Sequence, residues 1–251
     1  MYKILFIGIG KMGFPMAGFL SEKYEVSVYN RSKEKISIWK KKYGGNAVDN
    51  LNQLDEKFDF IISCIGNDDD LREITSNDTG CFNAIRKNTI FIDHSTVSPK
   101  IVQELELKLK EKEAFFLDAP ISGGQLGAEK GQLSIMVGGD KNAFNKSESI
   151  FEVYGKKRKY MGSSGSGQLT KIINQICIAG LVQGLSESIY FMKQTKLNPE
   201  DVLDVISSGA AQSWQMDNRF MTMTENKFDF GFAVDLMRKD LSIAFDEAKK
   251  F

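Results

Sequence analysis

The sequence predicts an α/β fold in which a doubly wound, mainly parallel sheet is followed by an all-helical C-terminal domain. Short apolar runs such as Tyr2–Ile7 and Glu25–Tyr29 alternate with amphipathic stretches. Continuous apolar strands separated by helices are typical of a parallel sheet covered on both faces. No convincing strand pattern follows the serine- and glycine-rich segment 162–167. We therefore expect a sheet domain over residues 1–162 and a helical domain over residues 163–251, which begins with a long interdomain helix.

Hydrophobic periodicity and turn residues give the elements in order. The predicted strands are Tyr2–Ile7, Glu25–Tyr29, Phe58–Ile65, Thr89–Asp93, Ala114–Asp118 and Leu133–Val137. The predicted helices are Met12–Glu22, Ser32 to Lys42 with Ser32 as its cap, Val102–Lys112, Gln168–Thr195, Pro199–Ile206 and Phe232–Lys250.

Composition and charge narrow the function classes. The chain has 251 residues, with 33 basic and 33 acidic side chains, so electrostatics favours neither nucleic acid nor an anionic membrane as a partner. Cys64, Cys81 and Cys177 form no metal-binding or disulfide pattern, which fits a reducing, cytoplasmic setting. Met1 leads directly into the first strand, so we expect no signal peptide. We also expect no apolar run that approaches the ~20 residues of a membrane span.

The glycine pattern Gly8-x-Gly10-x-x-Gly13 follows the first strand and precedes a helix. This order fits a dinucleotide fingerprint, in which the glycines allow a tight turn, a close approach of backbone to pyrophosphate, and helix packing. The phosphates would bind the N–H groups at the helix start. The pattern predicts a Rossmann-type nucleotide site; the alternative is a glycine turn between strand and helix.

Asn30, Arg31 and Ser32 end the second strand, where an acidic residue usually binds the ribose 2′-hydroxyl. Asn30 does not repel a 2′-phosphate, and Arg31 could pair with one. The sequence therefore favours NADP as the cofactor, with NAD possible. The alternative is that Arg31 is a surface residue beside a turn.

A second glycine loop, Ser122-Gly123-Gly124, follows the strand that ends at Asp118. Its backbone N–H groups and the Ser122 hydroxyl could bind a substrate carboxylate without a positive side chain. An ordinary strand-end turn is the alternative.

Lys171 and Asn174 lie three residues apart near the start of the long helix and share one face. A lysine among apolar residues is costly unless it has a task, and burial lowers the pKa of a lysine towards neutrality, which suits proton transfer. The alternative is a lysine that extends its amine to solvent. His94 is the only histidine and is expected to be structural, while Asp68–Asp70 is expected to be a solvated helix start rather than a metal site.

Together these segments resemble the β-hydroxyacid dehydrogenase family, which includes 3-hydroxyisobutyrate dehydrogenases, tartronate semialdehyde reductases and glyoxylate/succinic semialdehyde reductases. The resemblance rests on segments in the same order along the chain: Gly8–Ala17, Asp93–Thr96, Asp118–Gly124, Gly127–Gly131, Met136–Gly139, Gly165-x-Gly167-x-x-x-Lys171-x-x-Asn174 and Lys239–Leu241.

The resemblance implies roles for residues of this chain. Lys171 would be the general acid or base, and Asn174 would bind substrate and orient Lys171. Ser122, Gly123 and Gly124 would hold the substrate carboxylate, and Asp240 would support the substrate site. The implied cofactor-binding residues are Gly8, Ile9, Gly10, Lys11, Met12, Gly13, Asn30, Arg31, Ser32, Ile65, Gly66, Thr96 and Lys239.

The sequence departs from the family in two places. Many members have a Leu-Pro pair where this chain has Ile65-Gly66, and the family's helical domain continues beyond the position of Phe251. We therefore expect a shortened C-terminal domain.

The family resemblance implies an NAD(P)-dependent oxidoreductase that transfers a hydride between a nicotinamide cofactor and a small β-hydroxyacid or its semialdehyde. Examples are 3-hydroxyisobutyrate, tartronate semialdehyde, glyoxylate and succinic semialdehyde. The expected partners are a small carboxylic-acid substrate and further copies of the chain in a dimer or tetramer, with no nucleic acid and no membrane. The alternatives are a non-catalytic dinucleotide-binding module and a related imine reductase.

Overall fold

The computed structural model describes residues 1–54, 57–76 and 78–251. The strands within them are β1 (Lys3–Ile7), β2 (Glu25–Tyr29), β3 (Asn46–Ala47), β4 (Phe60–Ser63), β5 (Ile90–Asp93), β6 (Phe115–Asp118), β7 (Ile121–Ser122), β8 (Leu133–Gly139) and β9 (Gly155–Gly162).

Ten helices occur in the described ranges, together with a short 3₁₀ helix at Cys81–Asn83. They are α1 (Gly13–Ser21), α2 (Lys33–Tyr43), α3 (Asp68–Ser76), α4 (Pro99–Lys110), α5 (Gly124–Glu129), α6 (Lys141–Tyr154), α7 (Ser166–Lys193), α8 (Pro199–Ser207), α9 (Trp214–Thr224) and α10 (Val234–Ala248).

All nine strands form one mainly parallel sheet, which confirms the predicted fold class. The order β3-β2-β1-β4-β5-β6 is parallel throughout. β6 and β7 both pair antiparallel with β8, and β9 pairs parallel with β8. Because these strands are parallel, the carboxyl ends of β1, β4, β5 and β6 lie along one edge of the sheet. Ligands bind at this edge in open α/β folds.

Alternation along the strands buries both faces of this sheet. Ile4 and Phe6 of β1 belong to one apolar cluster, while Leu5 and Ile7 belong to the cluster on the other face. β5 divides in the same way, with Ile92 on one face and Phe91 on the other. A strand buried on both faces reads as a continuous apolar run, which is why these strands were predictable.

Some predicted boundaries were wrong for identifiable reasons. α4 begins at Pro99 rather than Val102, because Ser98 caps it through Ile101 N–H and proline fits the first helical position. Ser32 occupies the cap position of α2, but its side chain makes no capping hydrogen bond. Helices α5, α6 and α9 and strands β3, β7 and β9 were not predicted. β9 contains four successive basic residues, so it lacks an apolar signal, and within the described residues it pairs only with β8.

The described chain forms two compact units, Met1–Lys171 and Ile172–Phe251. The second unit has its own small core, in which Leu185 and Ile189 of α7 belong to the same cluster as Met216 and Phe220 of α9.

The expectation about apolar runs was wrong for α7. Among the described residues, this one helix has the length and composition of a membrane span, with a mean hydropathy of 1.2 over an 18-residue window. Core helices of soluble proteins can meet the same criterion, but only 22% of that window is buried within the chain.

Candidate active site

The three fingerprint glycines occupy sterically different positions in the loop from β1 to α1. Gly8 has a φ of 94°, and a Cβ atom there would lie 2.4 Å from the Cys64 carbonyl oxygen. A Cβ at Gly13 would lie 2.1 Å from the Gly8 carbonyl oxygen, whereas one at Gly10 would meet no atom within 4 Å. Gly8 and Gly13 are thus required by the turn itself, and Gly10 leaves space above the helix start. This arrangement fits a bound pyrophosphate.

Asn30 has a structural task that the sequence did not reveal. Its Oδ1 accepts a hydrogen bond from the Ile9 N–H at 3.2 Å, and its Nδ2 donates to the Ser32 carbonyl oxygen at 3.2 Å. Asn30 therefore joins the glycine loop to the end of β2. In the same region Lys11, Arg31 and Ser32 are exposed, Met12 is half-buried, and Arg31 pairs with Asp70 at 2.9 Å.

The loops after β4 and β5 are connected through the buried carboxylate of Asp93. Its Oδ1 accepts hydrogen bonds from the hydroxyls of Ser63 and Ser95, at 2.7 and 2.6 Å. The Ile65 N–H donates to Ser95 Oγ at 2.9 Å. This network fixes the Ile65–Gly66 loop beside the segment that carries half-buried Thr96.

The three aspartates at the start of α3 are not uniformly solvated, which corrects the sequence-based expectation. Asp68 accepts hydrogen bonds from the Ser98 N–H at 2.9 Å and the Ser98 hydroxyl at 2.5 Å. Asp69 is 97% exposed, whereas Asp70 is 19% exposed and pairs with Arg31. Among the described residues, no group of His, Cys, Asp and Glu could hold a metal ion.

His94 is a buried structural residue, as the sequence indicated. Its Nδ1 donates to the Ala119 carbonyl oxygen at 2.6 Å, because a carbonyl can only accept. Nε2 then accepts from the Tyr154 hydroxyl at 2.8 Å. Burial lowers the pKa of His94 to about 4, against the smaller opposing effect of the Ala119 carbonyl.

The lowered pKa of His94 predicts a pH-dependent loss of stability in acid. Between its ordinary pKa of 6.5 and its folded-state pKa of about 4, the unfolded chain binds a proton that the native chain does not. The contribution of His94 to the free energy of unfolding should therefore fall by about 3 kcal/mol as the pH decreases through this window. Urea unfolding at several pH values measures this slope.

The His94→Gln variant isolates this contribution, because Asp118 titrates in the opposite sense. Burial raises the pKa of Asp118 to about 7, so that group favours the native state at low pH. Asp118 is the same in wild type and variant, so the difference between their pH profiles reports on His94. Parallel profiles from pH 7 to 4 would show that His94 does not titrate as described.

The start of α7 is anchored to the end of β6 by Asp118. Its Oδ1 accepts from the Gly165 N–H and its Oδ2 from the Gln168 N–H, both at 2.9 Å. Gly165 has a φ of 90°, and a Cβ at Gly167 would lie 2.5 Å from the Asp118 carbonyl oxygen. Glycines at positions 165 and 167 therefore allow the chain to approach Asp118 this closely.

Gln168 extends this anchoring to the loop after β5. Its Nε2 donates to the Ser95 carbonyl oxygen at 2.8 Å, and its Oε1 accepts from the Val97 N–H at 3.2 Å. Both bonds flank Thr96. Lys171 lies one turn further along the helix and is only 7% exposed. Lys171 therefore lies one helical turn beyond the residue that binds the loop after β5.

Ser122, Gly123 and Gly124 lie where β7 meets α5. Gly123 and Gly124 have φ values of 134° and 62° and are exposed, and Ser122 is half-buried. These left-handed values favour glycine and turn the chain abruptly into the helix. The loop therefore presents backbone to solvent at the end of the strand.

In the second unit, a polar network surrounds Asp240. Gln175 Nε2 donates to Asp240 Oδ2 at 2.5 Å, and Asn174 Nδ2 donates to Gln175 Oε1 at 2.8 Å. The Lys239 amine lies 3.0 Å from Asp240 Oδ1. Asn174 and Asp240, which the sequence singled out separately, are therefore joined through one amide.

Gln168 and Gln175 are the main residues that the sequence analysis missed. Both are buried, and with Lys171 they occupy positions 168, 171 and 175, which form one helical face. Polar side chains at helical spacing within an apolar helix were the available signal.

Comparison with known proteins identifies the family. Residues 3–162 match the NAD binding domain of 6-phosphogluconate dehydrogenase, and residues 165–251 match the NAD-binding domain of NADP-dependent 3-hydroxyisobutyrate dehydrogenase. The chain belongs to the β-hydroxyacid dehydrogenase family. The predicted resemblance is confirmed, and this family member is an NAD(P)-dependent, 3-hydroxyisobutyrate dehydrogenase-like oxidoreductase.

Individual relatives match this β-hydroxyacid dehydrogenase homologue over more than four fifths of their own length. An uncharacterized oxidoreductase of Shewanella frigidimarina is 46% identical over 100% of this chain and 86% of its own length. The 2-hydroxy-3-oxopropionate reductase of Escherichia coli is 32% identical over 98% of this chain and 84% of its own. The structure of Mycobacterium tuberculosis 3-hydroxyisobutyrate dehydrogenase with L-serine has a TM-score of 0.85 and 26% identity, covering 100% of this chain and 87% of that one.

Proposed function

We propose that this family member is an NADP-preferring reductase or dehydrogenase of a small β-hydroxyacid or its semialdehyde. The observation that carries the proposal is the burial of Lys171 one helical turn after Gln168, whose amide holds the loop that contains Thr96. A buried lysine amine beside a bound nucleotide would be able to transfer a proton to or from the substrate.

A nicotinamide coenzyme, when bound, supplies or accepts the hydride. The fit of the chain to such a group is supported by the open space at Gly10, which any side chain would fill. Gly8 to Gly13 would hold the pyrophosphate, with Ile65, Gly66 and Thr96 along the remainder of the coenzyme.

Lys171 would donate a proton to the carbonyl oxygen during reduction and accept it during oxidation. Asn174 would hydrogen-bond the substrate, and Gln175 supports this role because its amide links the Asn174 side chain to Asp240. Ser122, Gly123 and Gly124 would bind the substrate carboxylate, for which the exposed glycine backbone is suited.

A substrate panel tests the proposal directly. Oxidation of NADPH and of NADH is followed with succinic semialdehyde, glyoxylate, tartronate semialdehyde and the semialdehyde of 3-hydroxyisobutyrate. We expect turnover with at least one short carboxylic substrate and a higher kcat/KM with NADPH. Coenzyme binding without turnover on any of them would favour the non-catalytic dinucleotide-binding alternative, and reduction of cyclic imines alone would favour an imine reductase.

The coenzyme preference is tested with the Arg31→Ala variant. If the guanidinium binds the 2′-phosphate, its removal should weaken NADPH binding by about 1.5–3 kcal/mol, the range for a charge-assisted hydrogen bond. NADH lacks this phosphate, so its affinity should scarcely change. Equilibrium fluorescence titration with both coenzymes measures the effect, and an equal loss for both would contradict the assignment.

A further inference from the structure

Two carboxylates already face the guanidinium that the proposed function assigns to the 2′-phosphate. The Nη2 atom of Arg31 lies 2.9 Å from Asp70 Oδ1, and its Nη1 atom lies 3.9 Å from Glu73 Oε2. Both acidic residues belong to α3 and lie three residues apart, so they share one helix face. The terminal nitrogens of Arg31, which would bind phosphate oxygens, are therefore directed at negative charge.

Asp70 is held in this position by its surroundings. Its backbone N–H donates to Asn67 Oδ1 at 2.8 Å, which fixes the first turn of α3. Its second carboxylate oxygen, Oδ2, occupies the space beside Gly66, where a Cβ atom would lie only 2.7 Å away. Gly66 thus leaves room for the Asp70 carboxylate.

The neighbouring positive charge is compensated as well. The Lys33 amine lies 2.8 Å from Asp49 Oδ1, and this contact lowers the pKa of the Asp49 carboxyl. Nearby carboxylates therefore offset part of the positive charge of the segment that follows β2.

We propose that Asp70, assisted by Glu73, is a coenzyme-specificity residue that limits the preference for NADP by competing with the 2′-phosphate for Arg31. This inference rests on the proposed function. A 2′-phosphate must displace the Asp70 carboxylate from the Arg31 guanidinium. Otherwise the phosphate and the carboxylate, which are both negatively charged, must bind the guanidinium side by side and repel each other. The 2′-hydroxyl of NAD incurs no such repulsion, so Asp70 shifts the balance towards NAD.

The test is equilibrium binding of NADPH and NADH to the full chain at fixed, low ionic strength. Asp70→Asn keeps the shape of the side chain and removes its charge. Asp69→Asn is the matched control, because Asp69 is adjacent in the same helix turn but is 97% exposed and paired with Arg72. Glu73→Gln and the double variant Arg31→Ala/Asp70→Asn complete the set.

Asp70→Asn should raise the affinity for NADPH relative to NADH by about three- to fivefold, the scale of a partly exposed ion pair. Glu73→Gln should produce a smaller shift because of its longer distance, and Asp69→Asn should leave the ratio unchanged. In the Arg31→Ala background, Asp70→Asn should lose most of its effect, since the competition acts through the guanidinium. Increasing salt should reduce the shift.

An unchanged or lowered ratio in Asp70→Asn would overturn the inference, as would an equal shift in Asp69→Asn, which would indicate a general effect of surface charge. Neither result would contradict the proposed function, provided that the wild-type protein binds both coenzymes and turns over substrate. Failure of the wild type to bind either coenzyme would overturn both.

Discussion

Replacing Lys171 with alanine is expected to lower kcat by about 10²- to 10⁴-fold, the contribution of a positioned general acid or base. The affinity for NADPH should change little, because the amine is assigned to the substrate carbonyl rather than to the coenzyme phosphates. Steady-state kinetics with the best substrate of the panel measures the first quantity, and fluorescence titration measures the second. The combination separates a proton-transfer role from a purely structural one.

The control for this experiment is Lys193→Ala. Lys193 lies in the last turn of the same helix and is exposed, so its loss should leave kcat within about twofold of wild type. Lys171→Arg preserves the positive charge, but arginine does not release its proton, so it should remain as inactive as Lys171→Ala. Substantial turnover by either Lys171 variant, with normal folding, would show that another group transfers the proton.

The Gly13→Ala variant is expected to destabilise the native chain by about 3 kcal/mol, at the upper end for overpacking of a rigid site. The reason is that the new Cβ would lie 2.1 Å from the Gly8 carbonyl oxygen, which belongs to backbone and cannot move as a side chain would. Urea unfolding measures the loss.

Gly10→Ala provides the complementary variant in the same loop. A Cβ at Gly10 meets no protein atom within 4 Å, so the free energy of unfolding should change by less than about 0.5 kcal/mol. If the pyrophosphate approaches Gly10, coenzyme affinity should nevertheless fall at least about tenfold. A Gly10→Ala protein that binds coenzyme normally would contradict the placement of the pyrophosphate, and a stable Gly13→Ala protein would contradict the described turn.

The sheet could be predicted from the sequence because its strands are buried on both faces. Leu5 and Phe6 point to opposite sides and are both apolar, so β1 reads as one uninterrupted run. β9 could not be found in this way, since its basic side chains carry no burial signal. The start of α4 was misjudged because polar Ser98 and Pro99, rather than an apolar residue, define it.

The sequence indicated those candidate residues whose chemical type is unusual for their position. It did not indicate residues whose role depends on hydrogen bonds to distant parts of the chain. Lys171 and the fingerprint glycines are unusual in their local context and could be recognised. Gln168 acts through hydrogen bonds to residues more than seventy positions away in the sequence, at Ser95 and Val97. Likewise, the ion pair between Asp70 and Arg31 connects α3 with the segment that follows β2, and no local sequence pattern indicates this contact.

The anchoring of the first turn of α7 by Asp118 and Gln168 has an evolutionary consequence. The position of the amine at residue 171 derives from the dinucleotide-binding half of the chain rather than from the helices that follow. Substitutions further along that helix should therefore leave the backbone position of Lys171 unchanged. If Lys171 transfers the proton as proposed, descendants of this protein can acquire new substrates without rebuilding that step.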